Sequence, residues 1–297
     1  MIQSDWLAQQ FEQNRSHLRA VAYRMLGSLP DADDAVQEAW LRLSRTDSAA
    51  IENLGGWLTT VVARISLDML RSRASRREDS LVPQAPDSPA PIEPKSAAAD
   101  PEAEALLADS VGLALLVVLD RLDPAERLAF VLHDMFAAPF DEISAIVGRT
   151  PGATRQLASR ARRRVQGAEA PDRANQLQQR KIVDAFSSAL RAGDFEALVA
   201  VLDPGLVVHA DAASAAGGAA REIHGAEVWA RSALVYSRGA RFLQPVLING
   251  ELGVILAPRG RMSRAITFTF TFGKIAQINV IGDAKHLRSL DLAALPD

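Results

Sequence analysis

Six arginines and no acid fall between Arg149 and Arg164 of this 297-residue chain. The stretch reads as one helix, with Ala153, Leu157, Ala161 and Val165 along its inner side. Arg155, Gln156, Ser159, Arg160 and Arg163 are left to point away or sideways. Residues of these types bind phosphates and base edges. Arginine neutralises a phosphate as a charge and meets guanine as a two-pronged donor; glutamine offers adenine a donor and an acceptor. A second basic stretch, Arg64 to Arg77, holds five arginines against one acid, Asp68. On the helix that holds it, Thr60, Arg64, Asp68 and Arg71 share one face, and Trp57 stands at its start. An aromatic beside basic groups suits unstacked bases of a single strand and the backbone that carries them. Asp33, Asp34, Gln37 and Glu38 make an exposed acidic face on another helix. His209, Asp211, His224 and Asp283 are the candidates for acid and base work, and no pair has a spacing that demands catalysis. No catalytic residue, cofactor site or metal site is assigned.

The elements that must position these groups are legible in outline. A helix is expected from Asp5 to Leu29, punctuated by Pro30, and a second follows with Asp31, Asp33 and Asp34 in its first turn. Its apolar face is Val36, Ala39, Trp40 and Leu43. Thr46 to Gly56 reads as a loop closed by Gly55-Gly56. A third helix runs from Trp57 to about Arg73, with Leu58, Val61, Val62, Ile65 and Met69 as its buried stripe. Six prolines between Val82 and Pro101 mark a linker. Helices resume near Glu102. Asp123-Pro124-Ala125-Glu126 is a helix start with an acidic N-cap and proline at the first position. A short helix, Asp141 to Val147, stops at Gly148; Thr150 then caps the arginine-rich helix and Pro151 opens it. Two helices joined by a tight turn, the second basic, form a helix-turn-helix pattern.

After Pro171 the texture changes. Two helices lead to a strand at Leu206 to His209, an Ala/Gly-rich loop, and a helix from Ala226 to Tyr236. Strands are expected at Phe242–Ile248, Leu252–Leu256, Arg264–Phe272 and Ile275–Ile281, and Asn249-Gly250 is a hairpin turn signal. This third part is α+β, with helices first and an antiparallel meander last.

Composition narrows the class. The net charge of −3 argues against a nucleic-acid binder on average, but the two basic helices are local. No apolar run of membrane-spanning length is present. The start has no secretion signal and the chain has no cysteine, which together point to a cytoplasmic address without disulfides or thiolate metal sites.

The stretch Tyr23–Ser28 through Asp33–Arg42 resembles region 2.1–2.2 of extracytoplasmic-function (ECF) sigma factors of the sigma-70 superfamily. Trp57–Arg71 is similar to region 2.3–2.4, and Leu122–Arg127 through Arg149–Arg164 to region 4. Residues 176–285 are similar to the SnoaL-like cone-shaped α+β barrel carried by one subgroup. That subgroup's linker and extension motifs are matched in part, by Leu81-Val82-Pro83 and by Asp211 with Gly217-Gly218. The resemblance implies a multi-domain protein: sigma region 2 over 1–80, a linker over 81–104, region 4 over 105–170, and a SnoaL-like domain over 171–297. It implies −35 contacts from Thr150, Arg155, Gln156, Ser159, Arg160 and Arg163, and −10 contacts from Trp57, Thr60, Arg64 and Arg71. The loop Thr46–Gly56 would meet the flipped −10 base. Asp33, Asp34, Gln37 and Glu38 would dock on the β′ clamp of core RNA polymerase, with a second contact to the β flap. Partners would be core polymerase and promoter DNA, with no cofactor, no membrane and no separate anti-sigma protein, since the C-terminal domain would act in cis. The alternative is a helix-turn-helix regulator with a ligand-sensing or enzymatic SnoaL-like domain.

Overall fold

The computed structural model describes residues 2–46, 51–79, 112–167, 173–215, 217–235 and 237–295. The linker 81–104 and the centre of the expected loop Thr46–Gly56 lie outside the described residues. Two compact units emerge. One takes the described residues up to Asp79 together with Leu119–Arg163; the other takes Gly112–Val118 and everything from Arg164 onward.

In the first unit, α1 (Ile2–Leu26), α2 (Leu29–Leu43) and α3 (Leu54–Asp79) pack on one another. Leu18, Val21 and Met25 of α1, Ala32, Val36 and Leu43 of α2, and Leu58 and Val62 of α3 are buried. Half-buried Trp40 tilts against Phe11 at 5.0 Å between centroids. The first break falls earlier than Pro30. Gly27, at φ +67°, ends α1, and Ser28 caps α2 by accepting from the Asp31 amide. Proline fits the first turn of a helix, where no intrahelical amide partner is needed, so Leu29 and Pro30 belong to α2. Asp31 is therefore in the first turn, and Asp33 and Asp34 follow in the second.

Gly55 and Gly56 do not close a loop; they lie inside the first turn of α3. Asn53 caps that helix, its Oδ1 accepting from the Gly56 amide at 3.0 Å. A Cβ on Gly56 would come within 2.7 Å of the Asn53 amide nitrogen, so the cap selects glycine there.

Helix α4 (Leu113–Leu119) falls in the second unit except for Leu119; the first unit continues with α5 (Pro124–Phe130), α6 (Phe140–Val147) and α7 (Pro151–Gln166), the last of these up to Arg163. Asp123 caps α5 through the Ala125 amide, as its sequence signal implied. The helix runs on into a π-helical turn, Val131–Met135, that the sequence pattern does not announce. Gly148 closes α6 in the left-handed conformation, φ +72°, accommodating the sharp turn into α7.

The second unit holds α8 (Arg173–Ala192), α9 (Phe195–Ala200), α10 (Ala226–Leu234) and α11 (Ala284–Ser289) with strands β1 (Leu202–Ala210), β2 (Arg221–His224), β3 (Leu243–Ile248), β4 (Glu251–Leu256), β5 (Arg264–Thr271), β6 (Lys274–Ile281) and β7 (Leu292–Ala293). They form one seven-stranded sheet in the order β2-β1-β6-β5-β4-β3-β7. The expected meander is β3 to β6, antiparallel throughout. The sheet as a whole is mixed, because β1 pairs β6 in parallel. It is also open: β2 and β7 are its two edges, so the cone does not close into a barrel. Val183 and Phe186 of α8, Leu206 and Val208 of β1, Trp229 of α10 and Phe268 of β5 belong to one buried core. Strand β2, strand β7 and helix α11 go beyond the elements expected from sequence. Each is only two to six residues long, too short for periodicity to register.

Candidate nucleic-acid interface

Thr150 caps α7: its hydroxyl accepts from the Ala153 amide at 3.2 Å, and its carbonyl accepts the Thr154 hydroxyl at 3.0 Å. That hydroxyl thereby fixes the start of the helix. Leu157, Ala158, Ala161 and Val165 are buried, joined by Thr154. Arg155, Gln156, Ser159, Arg160 and Arg163 are all exposed, as their spacing predicts. Helical geometry puts Gln156, Ser159 and Arg163 at the centre of this face, with Arg155 and Arg160 on its two flanks. The two flanking arginines are held by the domain itself. Arg155 lies over the Phe140 ring, 5.6 Å from its centroid, and that ring stacks on His133 at 3.9 Å. Arg160 Nε is 3.5 Å from a carboxylate oxygen of Glu126, which is buried in α5. Arg162 pairs with Asp134 beside the inner side of the helix.

The four −10 candidates all lie on α3. Trp57 and Thr60 are half-buried and Arg64 and Arg71 exposed. Arg64 donates to the Ala145 carbonyl at 3.4 Å, one of the last carbonyls of α6, and Arg71 sits 3.9 Å from Asp68. On α2, Asp34 and Gln37 are exposed. Asp33 receives two hydrogen bonds from Arg19, at 2.7 and 3.0 Å, and Glu38 pairs with Arg42 at 2.9 Å. Leu41, 40% exposed, continues the Asp34–Gln37 row by one turn. Sequence reasoning left it out because the apolar stripe of an amphipathic helix normally faces inward.

His17, Arg24 and Phe136 cluster where α1 meets the π-helical turn. The His17 ring is edge-on to Phe136 at 5.2 Å, and the Arg24 guanidinium lies 5.1 Å from the same ring. Burial first, and then the Arg24 charge, hold the His17 pKa below its ordinary value. The unfolded chain therefore takes up this proton at higher pH than the folded one. His17 adds no pH dependence well above pH ~6.5; as pH falls through that value, stability is lost until the folded pKa is passed. Melting temperature of the first unit should thus drop between pH 7.5 and 5.5 by more in wild type than in His17→Gln. Equal drops would show that other groups carry the dependence.

The four acid/base candidates of the C-terminal unit do not meet at one site but fall into two pairs, His209 with His224 around Glu222 and Asp211 with Asp283. His209 alternates with buried Val208, so it faces away from the filled side of the sheet. There its Nδ1 lies 3.3 Å from Glu222, whose other oxygen meets His224 Nε2 at 2.8 Å. Asp211 accepts from the amides of Ser214, Gly282 and Asp283, each at 2.8 Å. Partial burial raises its pKa, but the Ser214 hydroxyl and these amides outweigh it and hold the carboxyl below the usual range. Asp283 caps α11 through the His286 amide. Two of the four are therefore loop and helix supports. Among the described residues no cluster fit to hold a metal ion is present, and no helix is long and apolar enough to cross a membrane.

Comparison with known proteins gives this geometry a family. Residues 10–76 match the Sigma-70 region 2 model and residues 112–165 the Sigma-70 region 4 model. The chain is 40% identical over 258 residues to the ECF RNA polymerase sigma factor SigJ of Mycobacterium tuberculosis, spanning 84% of this chain and 80% of that protein. It is 33% identical over 284 residues to the probable ECF sigma factor SigI of the same species, spanning 95% and 94% of the two chains. The crystal structure of M. tuberculosis SigJ covers 93% of this chain and 96% of its own, at 34% identity and a TM-score of 0.44. The relatives span the α7 face, the α3 face and the C-terminal unit alike, and the chain belongs to the ECF sigma factors of RNA polymerase.

Proposed function

We propose that this sigma factor reads the −35 duplex with α7 and the melted −10 strand with α3. It acts in the cytoplasm, docks through the Asp34–Gln37–Leu41 row of α2 on the β′ clamp of core polymerase, and reaches the β flap through region 4. The observation that carries the first part is the division of α7. Its apolar residues are buried and its five recognition candidates exposed, and these include both kinds of side chain a major-groove helix needs. We assign the C-terminal unit no catalysis: its core is packed with apolar side chains, and Asp211 and Asp283 are engaged by backbone amides.

The same unit is proposed to set activity in cis. It includes the last turn of α7, where the Ala294 amide beside β7 donates to the Val165 carbonyl at 2.8 Å. A tether within one chain acts at high effective concentration, so one such link can hold the helix end. The absence of a separate anti-sigma protein belongs to this proposal and rests on the family resemblance. The test is transcription from the protein's own upstream region with sigma-free core polymerase. Full-length protein should give −35- and −10-dependent transcripts, and Ala294→Pro, which removes the donor, should change their yield. Duplex binding without polymerase and without transcripts would favour a conventional repressor; unchanged yield from Ala294→Pro would remove the cis link.

A further inference from the structure

We infer that Glu126 is a positioning residue for promoter specificity: it aims Arg160 so that Arg160 reads a guanine of the −35 element rather than gripping a phosphate. The inference rests on the assignment of α7 to the −35 duplex and deepens it. An arginine side chain has many rotamers, and an untethered one on a helix flank serves a phosphate from several of them. Base reading asks for more. The fork of two Nη groups must lie in the plane of the base and meet O6 and N7 together. Arg160 is the one candidate reader on the α7 face whose guanidinium is drawn to a carboxylate among the ion pairs of the described residues. The nearest approach is through Nε, at 3.5 Å from a Glu126 carboxylate oxygen.

The asymmetry of the pair supports a positioning role. Glu126 is 7% exposed in its side chain and Arg160 50%. An acid on a rigid helix start, next to the Asp123 cap and Pro124, is fixed by the fold; the arginine reaches toward it from the DNA-facing helix. A stabilising link from α7 to the π-helical turn that follows α5 is supplied separately, by Arg162 with Asp134. Glu126 also lies beneath the flank of the face rather than on it, so it brings no repulsive charge to the phosphates themselves. Fixing the fork before DNA arrives removes an ordering cost from the specific complex only, which is how a residue that never touches DNA alters discrimination.

The experiment uses holoenzyme assembled from the full chain and core polymerase, on a set of templates carrying every single-base change across the −35 element. Wild type should favour guanine at one position by roughly 10–100-fold, the range of a bidentate arginine contact. Arg160→Lys should flatten the preference at that position alone. Glu126→Gln should cut it at least 5-fold at the same position, leave the other −35 positions and the salt dependence of binding unchanged, and add nothing in the Arg160→Lys background. Glu126→Asp, which keeps the charge, should recover part of the preference and serves if Glu126→Gln folds poorly. A uniform loss at every position with a shallower salt dependence in Arg160→Ala would make Arg160 a phosphate clamp and overturn the inference. An unchanged base profile in a folded Glu126→Gln would overturn it as well. Wild-type transcription indifferent to the −35 sequence would instead overturn the reading of α7 on which the inference stands.

Discussion

Replacing Phe186 by alanine should lower the stability of the C-terminal unit by about 3–5 kcal/mol, the cost of a large cavity in a packed core. Phe186 is fully buried, stacks on Trp229 at 5.7 Å and meets Phe268 edge-on at 5.2 Å. It belongs to the buried core of this unit, with Leu206, Val208, Trp229 and Phe268. Two terms add: apolar area returned to water with a void left behind, and two aromatic pairs each contributing roughly 0.5–1.5 kcal/mol beyond area. For a unit of this size the melting transition should fall by roughly 10–20 °C. Calorimetry should show that transition moving while the transition of the first unit stays in place. A variant that melts like wild type would mean that the space around Phe186 relaxes easily, and a binding cavity would then be the better description of this domain.

The sequence made some of this legible because the signals were long or chemically exclusive. Helix α7 was bounded correctly by Thr150 and Pro151, since a hydroxyl cap and a first-position proline have few other uses together. The Asn249-Gly250 hairpin followed from two adjacent residues that tolerate positive φ, observed at 54° and 84°. The turn at Phe272-Gly273 has positive φ at both residues too, 49° and 75°, yet Phe272 gives no hint of it because aromatic residues seldom adopt that region. Strand β1 begins at Leu202, through Pro204 and Gly205, with a shift in register before Val207. Residues that usually break strands hid its first half. At the candidate site, spacing predicted which α7 residues face outward, and these are exposed, but nothing in spacing linked Arg160 to Glu126 or Arg155 to Phe140. Those contacts depend on how α5 and α6 cross α7, which is tertiary information.

The second large effect is expected at Arg127, the largest fully buried side chain of the described residues. A guanidinium at 2% exposure is costly unless its donors are met. Nε and one Nη donate to the Arg24 carbonyl, at 3.2 and 3.0 Å, and the other Nη lies 3.4 Å from Asp120. The Arg24 carbonyl is among the last four of α1, which have no partner within their own helix. The nearby Leu26 carbonyl accepts from Arg73 at 3.3 Å in the same way. Cations thus meet the negative end of the α1 dipole from α5 and α3 at once. Removing Arg127 leaves a buried carbonyl unsatisfied and a void the size of a long side chain. Hydrogen bonds from a charged donor contribute about 1.5–3 kcal/mol, so Arg127→Ala should destabilise the first unit by roughly 3 kcal/mol or more. Arg127→Met refills most of the volume without the donors. If it recovers less than half of the loss in urea denaturation, the helix-end hydrogen bonds carry the effect. If it recovers nearly all of it, packing does, and the buried charge is there at no net gain in stability, as replacement of buried ionic groups by apolar ones has shown elsewhere.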